Sequence, residues 1–269
     1  MTIFNNNRLL PFWENYRLDI IWAGDASVGV SWEAQDVCSS YSRVYYITQG
    51  EGIISFDGKT ISLTEGKLYV IPAGLKYSYH CPNTMQQLFF HINVLHKSGM
   101  DLLQGHHIVY ERHVEPKQLQ RVKALYHSDK MTDAFRLKGI LMEGIADFVE
   151  EYGIQEQYTN DYSKLVEEMF RIAQNPVDAR NSVKTLADDL HVSVSTLSKR
   201  FRRETGMTPS TYLNQLVINR ACYLLHTEEY SIARIAAELG FGDQFYFAKY
   251  FKRQMGVSPS IYRKQVRVG

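Results

Sequence analysis

The apolar positions of this 269-residue chain change period along its length. Between residues 17 and 95 they recur every second residue. Leu18, Ile20 and Trp22 form one such series, Val28, Val30 and Trp32 another, and Arg43 to Thr48 is a β-branched and aromatic run. Period two sends alternate side chains to opposite faces of a strand, so Tyr45 and Tyr46 must point to opposite sides. Gly50, Gly52, Gly66 and Pro72-Ala73-Gly74 cut the pattern into short strands. Asp57-Gly58, between Ile53–Phe56 and Lys59–Leu63, marks a tight hairpin, and Leu88–Leu95 is a further strand. Short strands with regular turn punctuation predict a β-sandwich or small barrel.

From residue 114 the period becomes three to four. Leu119, Val122, Leu125 and Tyr126 share one side of a helix over 115–128. Leu137, Leu141, Ile145, Phe148 and Tyr152 share one side of a second helix over 133–152. Gly153 to Asp161 is polar and aperiodic, the expected linker. Leu165, Val166, Met169, Phe170 and Ala173 then define a helix over 162–174, which Asn175-Pro176 ends. Residues 1–12, with three consecutive asparagines, predict an arm without regular structure.

The last hundred residues contain a repeat. Ser182, Leu186, Ala187, Leu190 and Val192 correspond to Ser231, Ile235, Ala236, Leu239 and Phe241; Phe201, Gly206, Pro209 and Tyr212 correspond to Phe251, Gly256, Pro259 and Tyr262. Each copy reads as helix, short turn, helix. In the first, Ser182 caps one helix and Ser193 caps a second over 194–205, whose inward face is Leu197 and Phe201. In the second, Asp243 is the cap, and Phe247 and Phe251 face inward. His191 stands where the second copy has Gly240, at a turn that calls for a left-handed backbone. A long helix over 209–226, with Leu213, Val217, Ala221 and Leu224 inward, joins the copies.

Helix-turn-helix units present a helix to the DNA major groove, and the outward residues suit that task. Ser195, Ser198, Lys199, Gln244, Tyr246 and Lys249 are the expected base readers. Thr196, Arg202, Arg203, Lys252 and Arg253 are the expected phosphate contacts. Charge sorts the same way. Residues 160–269 hold 16 Lys+Arg against 11 Asp+Glu, or +5, and the remainder 14 against 18, or −4, which sum to the chain's +1. The three cysteines are scattered and odd in number, as in a reducing compartment without a metal cluster. No apolar run is long enough for a membrane span, and the first residues lack the basic and apolar pattern of a signal peptide, so a cytoplasmic protein is expected.

With these motifs in place, the chain resembles the AraC/XylS-type bacterial transcription regulators, over about the last 100 residues and most closely in GFGDQFYFAKYFKRQMGVSPSIYRK. Gly50-Glu51-Gly52, Gly66, Pro72 and Gly74 are ordered as in a cupin, the sensor domain of sugar-responsive members. The implied architecture is multidomain α+β. A cupin-like effector-sensing domain with its arm covers 1–112, a helical dimerisation pair 113–153, a linker 154–161, and an all-α double helix-turn-helix domain 162–269. The resemblance implies a regulator, an activator by preference, that binds double-stranded DNA as a homodimer, contacts RNA polymerase and answers to a sugar-like effector. It requires no cofactor and performs no catalysis. Leu137, Leu141, Ile145 and Phe148 are the expected dimer contacts. Trp32, Arg43, Tyr45, Tyr77, Tyr79 and His91 are the expected effector pocket, Trp22, Tyr69 and Phe89 being further aromatic candidates. The arm is either a frayed terminus or a flap over that pocket. Two rivals remain. One is a ligand-independent regulator with a solid sandwich core. The other is a cupin enzyme, for which His80 and His91 are a poor metal-ligand set.

Overall fold

The computed structural model describes residues 15–154, 162–226 and 230–267. The arm (1–12) and nearly all of the linker (154–161) lie outside them. Strands are β1 (Tyr16–Gly29), β2 (Glu33–Cys38), β3 (Ser42–Phe56), β4 (Lys59–Thr64), β5 (Lys67–Ile71), β6 (Lys76–His80), β7 (Thr84–His96) and β8 (Tyr110–His113). Helices are α1 (Pro116–Tyr126), α2 (Met131–Glu151), α3 (Lys164–Gln174), α4 (Val183–Asp189), α5 (Val194–Thr205), α6 (Pro209–His226), α7 (Ile232–Glu238), α8 (Gln244–Met255) and α9 (Pro259–Arg267). They group into two compact units, one of residues 1–19, 94–102 and 156–247, the other of 20–93, 103–155 and 248–269.

The second of these is built on β3. Its first half pairs with β7 and β5 in the order β1-β7-β3-β5-β8, and its second half pairs with β4 and β6, β6 continuing to β2. The β3–β7 register slips between Ile47 and Gln49. That bulge bends the strand and shifts its parity. Tyr45 and Ile47 before it, and Ile54 and Phe56 after it, therefore all face one shared core with Leu63, Tyr69 and Tyr77. Tyr46 points the other way, its ring near Phe90. The two alternating series are joined, since the chain from Trp22 to Val28 continues as one strand that ends at Gly29. Within it Leu18 is buried but Ile20 is 41% exposed, because β1 is an edge strand.

Helix α2 is amphipathic as expected, and its apolar side is covered by its own chain. Leu137, Leu141, Ile145 and Phe148 are all buried within the single chain. Phe148 packs on Tyr110 (ring centroids 5.3 Å apart), and the helix comes close to β5 at Gly144, where an added methyl would lie 3.7 Å from Leu68. The four expected dimer contacts are thus core residues. The outward side carries Met131 (71% exposed) and Phe135 (66%).

The other unit centres on Phe170, Phe201 and Tyr212, whose rings lie 5.3–5.6 Å apart, with Leu186, Ala187, Leu197 and Leu216 around them. Helices 194–205 and 209–226 start and stop where the sequence placed them. The caps expected at Ser182, Ser193 and Asp243 are made, and Ser231 caps a further helix. Ser182 accepts from Thr185 N–H, Ser193 from Thr196 N–H and Ser231 from Arg234 N–H, while Asp243 Oδ1 accepts from both Phe245 and Tyr246. An unforeseen guest completes this core. Met100, from the turn after β7, is fully buried in it, and the Tyr212 hydroxyl donates to the Ser98 carbonyl at 2.5 Å.

Candidate DNA-reading face and effector cavity

Helix α5 buries Leu197 and Phe201, four residues apart, and turns its remaining surface outward. Ser195, Lys199, Arg202 and Arg203 are exposed, and Ser198 is half-buried. Thr196 is exposed, but its hydroxyl already shares a 2.8 Å hydrogen bond with Ser193. Arg203 and Arg200 both approach Glu204 Oε1 at 3.5 Å, and Glu204 Oε2 accepts from Ser163. Burial of Glu204 raises its carboxyl, but the Ser163 and arginine contacts outweigh it and hold the group below its usual range. Helix α8 repeats the arrangement, with Phe247 and Phe251 fully buried and Gln244, Tyr246, Lys249, Lys252 and Arg253 exposed. It also presents Phe245, 78% exposed, which the sequence reading passed over. The signal was available, since two inward positions at 247 and 251 leave 245 outside.

The β-rich unit holds a cavity of about 640 Å³, in the range of small-molecule sites. Cross-strand register builds its floor. Arg43 pairs with His91, Tyr45 with Phe89 and Ile47 with Gln87, so these odd-numbered residues share a face. Trp32, Arg43, Tyr45, Tyr79 and His91 line the cavity as expected, joined by Trp22 and Phe89. Trp32 packs on Tyr79 (4.3 Å), Trp22 lies edge-on to His91 (5.0 Å), and Tyr41 stacks on His91 (4.6 Å, 22° between planes). Tyr77 does not line it. That residue is buried, with the Arg43 guanidinium 5.3 Å from its ring. Tyr69 is core, its hydroxyl donating to the Ser62 carbonyl. Tyr41, Gln87, Glu33 and Lys264 line the cavity without having been expected there. Gln87 was reachable by extending the alternation of 89 and 91 one step back. Burial pushes the Tyr45 and Tyr79 phenols up, against the pull of Arg43, so both remain neutral hydrogen-bonding groups. His80 is exposed at the end of β6.

Comparison with known proteins agrees with both halves of this description. Residues 39–143 match the family described as AraC-like ligand binding domain, and residues 186–265 match the helix-turn-helix domain family. The lactose operon transcription activator of Staphylococcus xylosus is 24% identical, over 93% of this chain and 95% of that protein. The HTH-type transcriptional activator RhaS of Shigella sonnei is 26% identical over 93% and 96%. The Msm operon regulatory protein of Streptococcus mutans is 24% identical over 83% and 84%. Among solved structures, ToxT of Vibrio cholerae with a bound unsaturated fatty acid aligns over the whole chain and 99% of its own, with a TM-score of 0.60 at 16% identity, a likeness of fold. An aromatic-lined cavity in the β-rich half, two capped helix-turn-helix units and these matches together place the chain in the AraC family of DNA-binding transcription regulators that carry a ligand-binding domain.

Proposed function

We propose that this chain is a cytoplasmic, homodimeric activator of a carbohydrate-utilisation operon, controlled by a sugar or sugar derivative held in the β-unit cavity. The observation that carries the reading is the cavity itself. Aromatic walls with a few polar groups (Arg43, His91, Tyr45, Tyr79) suit the apolar faces and hydroxyls of a sugar. The operon relatives, named for lactose and Msm, support the same class. A cavity of about 640 Å³ weighs against a ligand-independent scaffold, which would have a filled core. The chain's part is regulation and not catalysis, as in those relatives.

On DNA, α5 and α8 each enter a major-groove segment. Ser195, Ser198, Lys199, Gln244, Tyr246 and Lys249 face base edges, and Arg202, Arg203, Lys252 and Arg253 face phosphates. Phe245 is placed to meet a thymine methyl. The exposed face of α2, with Met131, Phe135, Gly139 and Ala146, is the surface we assign to the second copy. The effector acts by favouring one of two arrangements of the dimer on DNA.

The test combines footprinting at the promoter beside the gene with a thermal-shift screen of the full chain against sugars. Lys199→Ala is expected to weaken specific binding about 10-fold or more, from the ~1–3 kcal/mol of a base contact, with an unchanged melting temperature. A protected site insensitive to Lys199, Gln244 and Lys249 replacements alike would remove these helices from the DNA interface. A footprint that no sugar alters, with no sugar shifting the melting temperature, rejects the carbohydrate effector.

A further inference from the structure

Among the described residues no carboxylate acts on Arg43. Its Nε and Nη1 are sealed from solvent, although the residue as a whole keeps some exposure where it lines the cavity. Among the described residues neither nitrogen meets a hydrogen-bond acceptor. The groups that surround it electrostatically are the phenols of Tyr41, Tyr45 and Tyr79, not a carboxylate. Tyr41 and Tyr77 rings stand 5.5 and 5.3 Å from the guanidinium carbon. Ring contacts favour the cation and the Tyr41 hydroxyl hydrogen-bonds it, but neither supplies a negative charge. The one acidic side chain that lines the cavity, Glu33, is exposed, and Lys264 is a second exposed cation there.

A desolvated guanidinium without an anion is costly, and folded proteins keep such groups paired. Arg43 is among the residues lining a cavity of ligand size. A planar arginine fork is matched by two oxygens of one carboxylate or phosphate, which accept parallel N–H bonds. A neutral hydroxyl would satisfy the donors but not the charge. Resting on the effector-cavity reading above, we propose that the natural effector is anionic, a sugar-sized molecule whose carboxylate or phosphate is received by the guanidinium of Arg43. The aromatic walls then hold the rest of the molecule, with Gln87 as a neutral polar member of the lining.

The experiment is a titration of the full-length protein with matched series, read by calorimetry and by fluorescence of Trp22 and Trp32. The series are glucose, glucuronate and glucose 6-phosphate, then galactose, galacturonate and galactose 6-phosphate, with inorganic phosphate and acetate alone as minimal anions. At least one acid is expected to bind 10-fold or more tightly than its neutral parent, and Arg43→Gln to abolish that preference. Whether the uronates or the phosphates bind separates the two anion classes. Ligand-free Arg43→Gln is expected to melt at or above the wild-type temperature, because the change removes an uncompensated charge. A clear drop in its melting temperature would mean the guanidinium is already satisfied and would overturn the proposal. Neutral hexoses binding as tightly as their acids would overturn it too, while leaving the cavity reading in place. Silence from every neutral and anionic member would count against the cavity reading and this one together.

Discussion

The two turns of the repeat make the same demand at one equivalent position but fill it with different residues, which permits a paired test. His191 has φ +54° and Gly240 φ +78°, both left-handed. The two turns close with the same hydrogen bonds. His191 N–H donates to the Asp188 carbonyl and Val192 N–H to Ala187; Gly240 N–H donates to Ala237 and Phe241 N–H to Ala236. This is the Schellman closure of a helix end, in which glycine is favoured. A left-handed non-glycine residue costs about 1–2 kcal/mol, and glycine's extra freedom in the unfolded chain returns about 0.5–1. The His191 side chain is exposed, so little packing is lost. His191→Gly should therefore stabilise the helical half by about 0.5–1 kcal/mol. For a unit of about a hundred residues that is a rise of roughly 2–8 °C in its melting transition. At Gly240 the left-handed backbone carries a second constraint. An added methyl would lie 2.1 Å from Asp178 Oδ1. Asp178 cannot simply swing away, since both of its oxygens accept from Arg180 Nε at 3.0 Å. Gly240→Ala should then cost about 2 kcal/mol or more, through backbone strain plus loss of that pair. Calorimetry of the full-length variants reads both changes. A neutral or destabilising His191→Gly would show that position 191 is not strained, and a Gly240→Ala as mild as an ordinary surface change would show that Asp178 does not constrain the turn.

Three further outcomes are expected. Met100→Ala should destabilise the helical unit by about 2–5 kcal/mol, because Met100 is fully buried in that core; urea unfolding that leaves the midpoint unmoved would remove it from the core. Phe135→Glu should shift sedimentation from dimer to monomer with the fold intact, whereas Leu141→Glu should unfold the β-rich unit, because Leu141 is 2% exposed in the single chain. His96 is almost wholly buried, with its Nδ1 2.9 Å from Ser98 Oγ, and burial, aided by Lys97, lowers its pKa to about 4. The unfolded chain binds this proton first. Stability from His96 is therefore complete above about pH 6.5 and is lost as pH falls toward 4, and His96→Gln should flatten the fall in urea midpoint over that window.

Much of this molecule was legible in one dimension. Helix identity in the repeat follows from caps and periodicity within a dozen residues, so 194–205 could be bounded from Ser193 and Gly206, and the start of the next helix from Pro209. The left-handed turn at His191 was visible only because a second copy placed glycine opposite it. The aromatic cavity was partly legible, since alternation on β3 and β7 put Arg43, Tyr45, Phe89 and His91 on one face. What the chain could not declare was which apolar side of a helix meets which surface. Leu137, Leu141, Ile145 and Phe148 form a stripe that a partner copy or the chain's own sheet could bury equally well, and packing by their own sheet settles it. The bulge after Ile47, which turns Ile54 and Phe56 toward the same core as Tyr45, depends on pairing with β7 across some forty residues. Met100 sits in an aperiodic turn, and its burial among α3, α5 and α6 depends on contacts more than sixty residues away in sequence. Local pattern determines local structure because its energetics are local. Met100 finds a core only once distant segments have been brought together.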